Sequence, residues 1–148
     1  MMVNIYMATS LKSPKRQNGV VGYVLEAEGH EDHTLTQFGR VINVTKNQSD
    51  LINLIHALSR INTSTEVTIW SDNTYIQAAV ENGWLKQWSE NGWKTHNNKY
   101  AANYEQWKHV LEKLEELGGI TPRFRTGEHH KYKNYLKDEV ERREKKYV

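Results

Sequence analysis

The stretch that decides the fold is EVTIWSDNTYIQAAVENGWLKQWSENGWKTHNNKYAANYEQW, residues 66 to 107. Its first part, 66–72, is a β-branched run that predicts a buried strand. That strand ends in the polar triplet Ser-Asp-Asn (71–73), whose side chains suit the N-terminus of a following helix. Trp-rich helical pieces come next, and the Asn-Gly steps at 82–83 and 91–92 break them into short units. The stretch therefore predicts a strand that runs directly into several short helices.

Upstream of this stretch, three β-branched segments are separated by turn residues, which predicts antiparallel neighbours joined by hairpins. They are followed by a helix over 47–60, in which one apolar stripe recurs at helical spacing. The three predicted strands cover residues 3–9, 20–29 and 33–43.

Downstream, residues 103–117 carry an apolar stripe that ends at Gly118-Gly119, a typical helix stop. A last strand over 120–124 and a final helix over about 133–145 complete the chain. This order predicts an α/β fold: a five-stranded mixed sheet, its first three strands antiparallel, with helices on both faces.

The composition is that of one globular domain spanning residues 1–148, with five Trp and eight Tyr among 37% hydrophobic residues. There is no cysteine, so neither disulfides nor thiolate metal ligands are available. No apolar run reaches the ~18 residues of a membrane span, and the N-terminus does not have the pattern of a signal peptide. We therefore expect a soluble, cytoplasmic protein with no membrane partner.

The formal net charge of +2 is only mildly basic, and such a small excess says little about a ligand. Phosphate neutralisation depends on clustered Lys and Arg. One such cluster is KSPKR at 12–16 and another is ERREKK at 141–146. The second alternates in sign, which is typical of a solvated helix end.

The 66–107 stretch resembles ribonuclease H of the bacterial type. That family has a strand ending in T-D-S-x-Y-V, then Trp-rich helices, a G-W-K-T string, and K-N-x-x-x-W at the start of a long helix. This chain has SDNTYI at 71–76, GWKT at 92–95 and ANYEQW at 102–107. The resemblance extends over residues 3–145.

The resemblance implies endonucleolytic cleavage of the RNA strand of an RNA–DNA hybrid, with two Mg²⁺ ions (or Mn²⁺ in their place) held by four carboxylates. Mg²⁺ prefers oxygen ligands, and two ions ~4 Å apart activate the attacking water and stabilise the leaving oxygen. Three of the four positions carry a carboxylate here. They are the expected catalytic and metal-binding residues Asp50, Asp72 and Asp138.

The fourth position is different, because Ala8 stands where the family has the aspartate that bridges both ions. Asp50 replaces the family's longer glutamate, and Ser89-Glu90-Asn91 replaces its basic K-K-R. The family's histidine-containing mobile loop corresponds to 127–131, where Glu128 falls at or beside the histidine position. These departures predict that cleavage is weak or lost.

The resemblance also implies a nucleic-acid interface. Polar side chains are expected in the minor groove, where 2′-hydroxyls distinguish RNA, and Trp side chains with a lysine are expected against the DNA strand. These residues are Asn47, Gln48, Asn73 and Asn103 for the groove, and Trp84, Trp88, Trp93 and Lys94 for the DNA strand.

Each residue also has a simpler structural explanation. Asp50 would suit the dipole of a first helical turn, Asp72 could cap the next helix, and Asp138 could pair with Arg142. The Trp residues could form a small local core and the Asn residues could cap loops. The pair His129-His130 is more typical of a surface loop than of a metal site.

Three functions follow as hypotheses. The first is an Mg²⁺-dependent hybrid ribonuclease, and the second is a non-catalytic module that holds RNA–DNA hybrid or duplex RNA. The third is a protein-interaction domain with a vestigial nucleic-acid face. In each case we expect a monomer that could be one part of a larger protein.

Overall fold

The computed structural model describes residues 2–95, 97–126 and 130–146. The strands and helices follow one another in the predicted order. In chain order they are β1 (Met2–Thr9), β2 (Gln17–Ala27), β3 (Thr34–Val44), α1 (Lys46–Ser59), β4 (Glu66–Trp70), α2 (Thr74–Glu81), α3 (Trp84–Glu90), α4 (Tyr104–Glu116), β5 (Arg123–Arg125) and α5 (Lys133–Lys146).

The strands form one five-stranded sheet in the order β3-β2-β1-β4-β5. β2 pairs antiparallel with both β1 and β3, whereas β4 pairs parallel with β1 and β5. This confirms the predicted mixed sheet with three antiparallel strands. The last strand is shorter and later than the predicted 120–124, because Gly118 and Gly119 hold a positive-φ turn and Pro122 has no N–H to donate to a neighbour.

Alternation along β1 divides the core between the two faces of the sheet. Ile5 and Met7 lie in the larger cluster with α1 and α4, whose largest fully buried side chain is Trp107. Tyr6 and Ala8 belong to the opposite face, where Leu136 of α5 covers them. Helices therefore lie on both faces, as predicted.

The start of α1 is held at the end of β1 by two local devices. Thr45 and Gln48 form a capping box, in which each side chain bonds the other's backbone N–H. One turn later the buried Asn53 side chain donates to the carbonyl oxygens of Ala8 (3.3 Å) and Gly22 (2.8 Å). The beginning of α1 therefore sits directly beside Ala8.

Among the described residues, no helix is both long enough and apolar enough to span a bilayer.

Truncation of Trp107 tests this core. Its indole has no solvent exposure, and its Nε1 donates to the Tyr75 hydroxyl at 2.9 Å. We expect Trp107→Ala to lower the free energy of unfolding by about 3–5 kcal/mol, measured by urea denaturation. Trp84→Ala is the matched control, since Trp84 is 36% exposed. Equal losses in both variants would contradict this description of the core.

Candidate functional site

A cleft of about 310 Å³ opens where β1 and β4 end beside α1 and α5. Ala8 lies in its wall, and Asp50 and Asp72 line it from α1 and from the turn after β4. Ala8 and Asp72 meet there because the carboxyl ends of the adjacent parallel strands β1 and β4 lie at one edge of the sheet, and α1 brings Asp50 to the same edge. The structure thus brings together two of the three predicted carboxylates and the alanine.

Asp50 forms the buried part of the site, with only 3% of its side chain exposed. Its Oδ2 accepts hydrogen bonds from Asn73 Nδ2 at 2.7 Å and from Lys46 Nζ at 3.2 Å. Burial raises the pKa of Asp50 above its ordinary value, and the lysine and the amide partly oppose that shift. The hydrogen bonds that this buried carboxylate accepts therefore come from side chains of the chain itself.

Asp72 is the exposed partner, with 72% of its side chain open to solvent. The Lys46 ammonium lies 3.8 Å from its Oδ1 as well as 3.2 Å from Asp50. One lysine consequently occupies the space between the two carboxylates.

The structure does not bring Asp138 to this cleft. Leu136 and Val140 are the buried side chains of α5, and at 100° per residue Asp138 lies about 200° around the helix from Leu136. Asp138 is exposed, and the side chains of α5 that line the cleft are Lys133, Lys137 and Glu141.

Three simpler explanations also need correction. α1 begins at Lys46, so Asp50 lies in the second helical turn and is not a first-turn carboxylate that stabilises the helix dipole. Asn73, rather than Asp72, caps α2, and its side chain accepts from the Ile76 N–H. Arg142 pairs with Glu139 at 2.7 Å and not with Asp138.

These residues do not fit a two-metal centre. Two divalent ions in one site need several anionic oxygens, including one that bridges both ions. Ala8 offers no side-chain oxygen, and Lys46 already bonds the two carboxylates. Within the part of the chain that the structure describes, no group of three or more His, Asp or Glu side chains is placed to hold a metal ion.

The predicted DNA-strand residues form a second, shallower groove on α3 and the loop after it. Trp84, Trp88 and Lys94 line this groove together with Asn91 and Asn98. The Trp84 and Trp88 rings are 5.9 Å apart, and Lys94 Nζ lies 5.4 Å from the Tyr100 ring. Trp88 also packs on Trp107 at 6.1 Å, so the exposed surface and the local core share the same side chains.

Most of the other predicted contact residues pack or form hydrogen bonds within the chain. Trp93 is partly buried against the main core, and Gln48 completes the α1 capping box. Asn103 precedes α4 in the left-handed conformation and makes no side-chain cap bond. Asn47 accepts from Asn73 Nδ2 at 3.0 Å, and because the same nitrogen also bonds Asp50, Asn47 lies beside the cleft.

The loop before α5 brings His130 into the cleft. Buried Glu26 anchors this loop by accepting from the Tyr132 hydroxyl at 3.0 Å and pairing with Lys131. The His130 ring packs on Tyr6 at 4.8 Å. Burial lowers the pKa of His130 to about 4, and nearby Lys133 adds to the shift, so the ring is neutral near pH 7. Glu128 and His129 lie outside the described residues.

The sequence reasoning missed the basic side chains of the cleft. Lys46 stands four residues before Asp50, a spacing that signals an ion pair on a helix. Lys133, Lys137 and Glu141 recur every fourth residue, which puts them on one face of α5. That spacing was visible in the sequence, but only the buried positions Leu136 and Val140 show which face turns inward.

Comparison with known proteins gives a consistent result. The family model for RNase H matches residues 2–138. A ribonuclease H of Chlorobium phaeobacteroides (strain BS1) is 35% identical over 99 residues, which is 67% of this chain and 62% of that protein. A second ribonuclease H, of Prosthecochloris aestuarii, is 33% identical over the same shares. The chain thus aligns with somewhat less than two thirds of the length of these relatives.

Solved structures share the fold. The type 1 RNase H named LC9-RNase H1 superposes with a TM-score of 0.71 at 19% identity, over 99% of this chain and 74% of that one. A foamy viral protease-reverse transcriptase, solved in complex with an RNA/DNA hybrid, superposes with a TM-score of 0.72 at 19% identity. That match covers 99% of this chain and 20% of the viral protein.

The protonation of His130 gives a test of the site. Its pKa is lowered from 6.5 to about 4, so between these values the unfolded chain binds more protons than the folded one. The free energy of unfolding should therefore fall as pH drops through this window. We expect His130→Gln to lose less stability than the wild type between pH 6.5 and 4, in urea melts at each pH. Exposed His109→Gln is the control, and parallel curves for wild type and His130→Gln would contradict the burial of this ring.

Proposed function

Because this chain belongs to the ribonuclease H family, we propose that it binds RNA–DNA hybrids, with duplex RNA as the related alternative, and that its cleavage of the RNA strand is weak or lost. Hybrid recognition and RNA cleavage are two separate properties of this surface. Recognition depends on the shape and polar edge of the hybrid, whereas cleavage depends on the acidic centre.

One observation carries the loss of cleavage: the Lys46 ammonium lies between Asp50 and Asp72, beside an alanine at the bridging position. A divalent ion at this place would have to displace a cation that is covalently part of the chain. Its carboxylate ligands would then be Asp50 and Asp72, with no bridging carboxylate at position 8. Any affinity for Mg²⁺ or Mn²⁺ should consequently be weak and limited to one ion at Asp50 and Asp72.

Retained hybrid binding is supported by the groove of Trp84, Trp88 and Lys94. Aromatic faces and a lysine suit the sugars and phosphates of one strand. Asn47, beside the cleft, has an amide nitrogen that can meet 2′-hydroxyls, whereas the amide of its partner Asn73 is used within the chain. We propose that the domain acts as a monomer in the cytoplasm, alone or as one part of a longer protein.

Restoring the bridging carboxylate tests the loss of cleavage. We expect the wild type to cut a labelled hybrid near background in Mg²⁺, and Ala8→Asp to raise the rate by an order of magnitude or more, because restored oxygen ligands lower the barrier by several kcal/mol. Ala8→Asn, of equal size and without charge, should stay at background. Brisk cleavage by the wild type that is abolished by Asp72→Asn would refute the proposal.

Further substitutions in the Ala8→Asp variant test which residue of α5 contributes a ligand to the metal centre. With Ala8→Asp present, Lys137→Glu should raise cleavage further, since it replaces a cation in the cleft by a carboxylate. Asp138→Asn should have no effect, because Asp138 faces away. If Asp138→Asn removes the gain instead, then Asp138 is a ligand, as the motif in the sequence implies.

Removing the internal cation tests the metal argument directly. We expect Lys46→Ala to strengthen Mg²⁺ binding at least several-fold, since the two carboxylates then repel each other and attract a divalent ion. Backbone amide shifts of residues near 50 and 72 would follow the titration. Lys108→Ala, an exposed lysine on α4, is the control. Strong Mg²⁺ binding by the wild type would show that Lys46 does not compete.

A further inference from the structure

We propose that the cleft binds a phosphodiester of the nucleic-acid backbone directly, through lysine side chains from α5 and without a metal ion. This inference rests on the proposed function and deepens it, since it names the group that the altered centre holds.

The cleft carries more positive than negative side chains. Five basic residues line it against three acidic ones. His130, also in the lining, is uncharged at neutral pH because its pKa is about 4. The difference is 5 − 3 = +2 in a concave site, where low-dielectric walls concentrate the field. The basic residues are Lys12, Lys46, Arg125, Lys133 and Lys137, and the acidic ones are Asp50, Asp72 and Glu141.

Each acidic residue of the cleft has a basic partner within the chain, with one lysine shared by two aspartates. Lys46 bonds Asp50 at 3.2 Å and approaches Asp72 at 3.8 Å, and Lys12 pairs with Glu141 at 3.4 Å. Arg125 stacks over the Trp70 ring at 5.6 Å. Among the residues that the structure describes, Lys133 and Lys137 form no ion pair. They are therefore the ammonium groups available to an incoming anion.

The position of these two lysines favours one ligand. They stand one turn apart on α5 and face the same cleft, so their ammonium groups can converge on a single group with several acceptor oxygens. Lysine presents a compact charge with three rotatable donors, which suits the tetrahedral oxygens of a phosphate. A phosphodiester carries one negative charge, which two lysines more than offset.

Lys46 also reduces the repulsion between the aspartates of the cleft and the phosphates of a nucleic-acid backbone. An open pair of carboxylates would repel a phosphate. Here Lys46 screens Asp50 and Asp72, while Lys133 and Lys137 are available to the anion. The hybrid should then bind equally well with Mg²⁺ or with a chelator present.

The first experiment uses inorganic phosphate as the probe, in a chelator and without nucleic acid. We expect amide shifts concentrated at residues 133, 137 and the adjoining cleft positions 12, 46 and 125. The double variant Lys133→Ala/Lys137→Ala should lose these shifts. Lys145→Ala/Lys146→Ala, at the solvated end of the same helix, should keep them. Shifts that are absent, or that lie only outside the cleft, would overturn the inference.

The second experiment measures hybrid affinity against salt concentration, with Mg²⁺ or with a chelator. Each lost phosphate contact reduces the slope of log K on log salt by about 0.7–0.9, so the Lys133/Lys137 double variant, which loses the one phosphate that both lysines share, should reduce it by about that amount. The Lys145/Lys146 control should leave the slope unchanged. An unchanged slope in the cleft variant, or binding that requires Mg²⁺, would overturn the inference.

The two arms separate this inference from the proposed function. If hybrid binds but neither probe involves the cleft lysines, the proposed function stands and the phosphate site fails. If phosphate shifts the cleft residues but no hybrid binds, the proposed function fails and the protein-interaction hypothesis gains support.

Discussion

The cleft is organised around one constraint: Asp50 is buried, and the solvation that its carboxylate loses has to be replaced by donors of the chain. A carboxylate removed from water loses several kcal/mol of solvation unless donors replace the lost water. Lys46 provides an ammonium one helical turn earlier, and Asn73 provides an amide from the turn after β4. Because the same Asn73 side chain also caps α2, the compensation of Asp50 is tied to the connection between β4 and α2.

This arrangement determines the chemistry of the site. In a metal-dependent centre, mutual repulsion between empty carboxylates is relieved by the incoming ions. Here the repulsion is relieved in advance by a side chain that never leaves. The lysine is tethered to the backbone of α1, so a free ion competes against a partner at very high local concentration. Restoring an oxygen at position 8 and removing the cation at position 46 are thus two separate requirements.

Much of the fold was predictable from the sequence because it depends on local patterns. β-branched runs marked the strands, and the Trp-rich stretch with its Asn-Gly breaks marked the short helices. The meeting of Asp50 and Asp72 followed from the family motif. In contrast, the buried environment of Asp50 could not be predicted from the sequence. On an isolated helix, Lys46 and Asp50 would form an ordinary exposed pair. Asn73 belongs to a different part of the chain.

Asp138 shows why a motif match has to be checked against helix rotation. The string NYLKDEV aligns its aspartate with the family's, but the rotation of a helix is set by the side chains that it buries. Leu136 and Val140 are fully buried, Leu136 against Tyr6 and Val24, and this fixes the inward face of α5. With that face fixed, Lys137 points to the cleft and Asp138 points to solvent.

Ala8 and Lys137 favour the same kind of ligand in this cleft. Without a side-chain oxygen at position 8 the cleft offers fewer ligands to a divalent ion, whereas each lysine strengthens its attraction for a backbone phosphate. In the proposed site these residues thus favour the phosphate itself over a metal ion. Lys46 is what makes this possible, because without it the two remaining aspartates would oppose the anion that Lys133 and Lys137 attract.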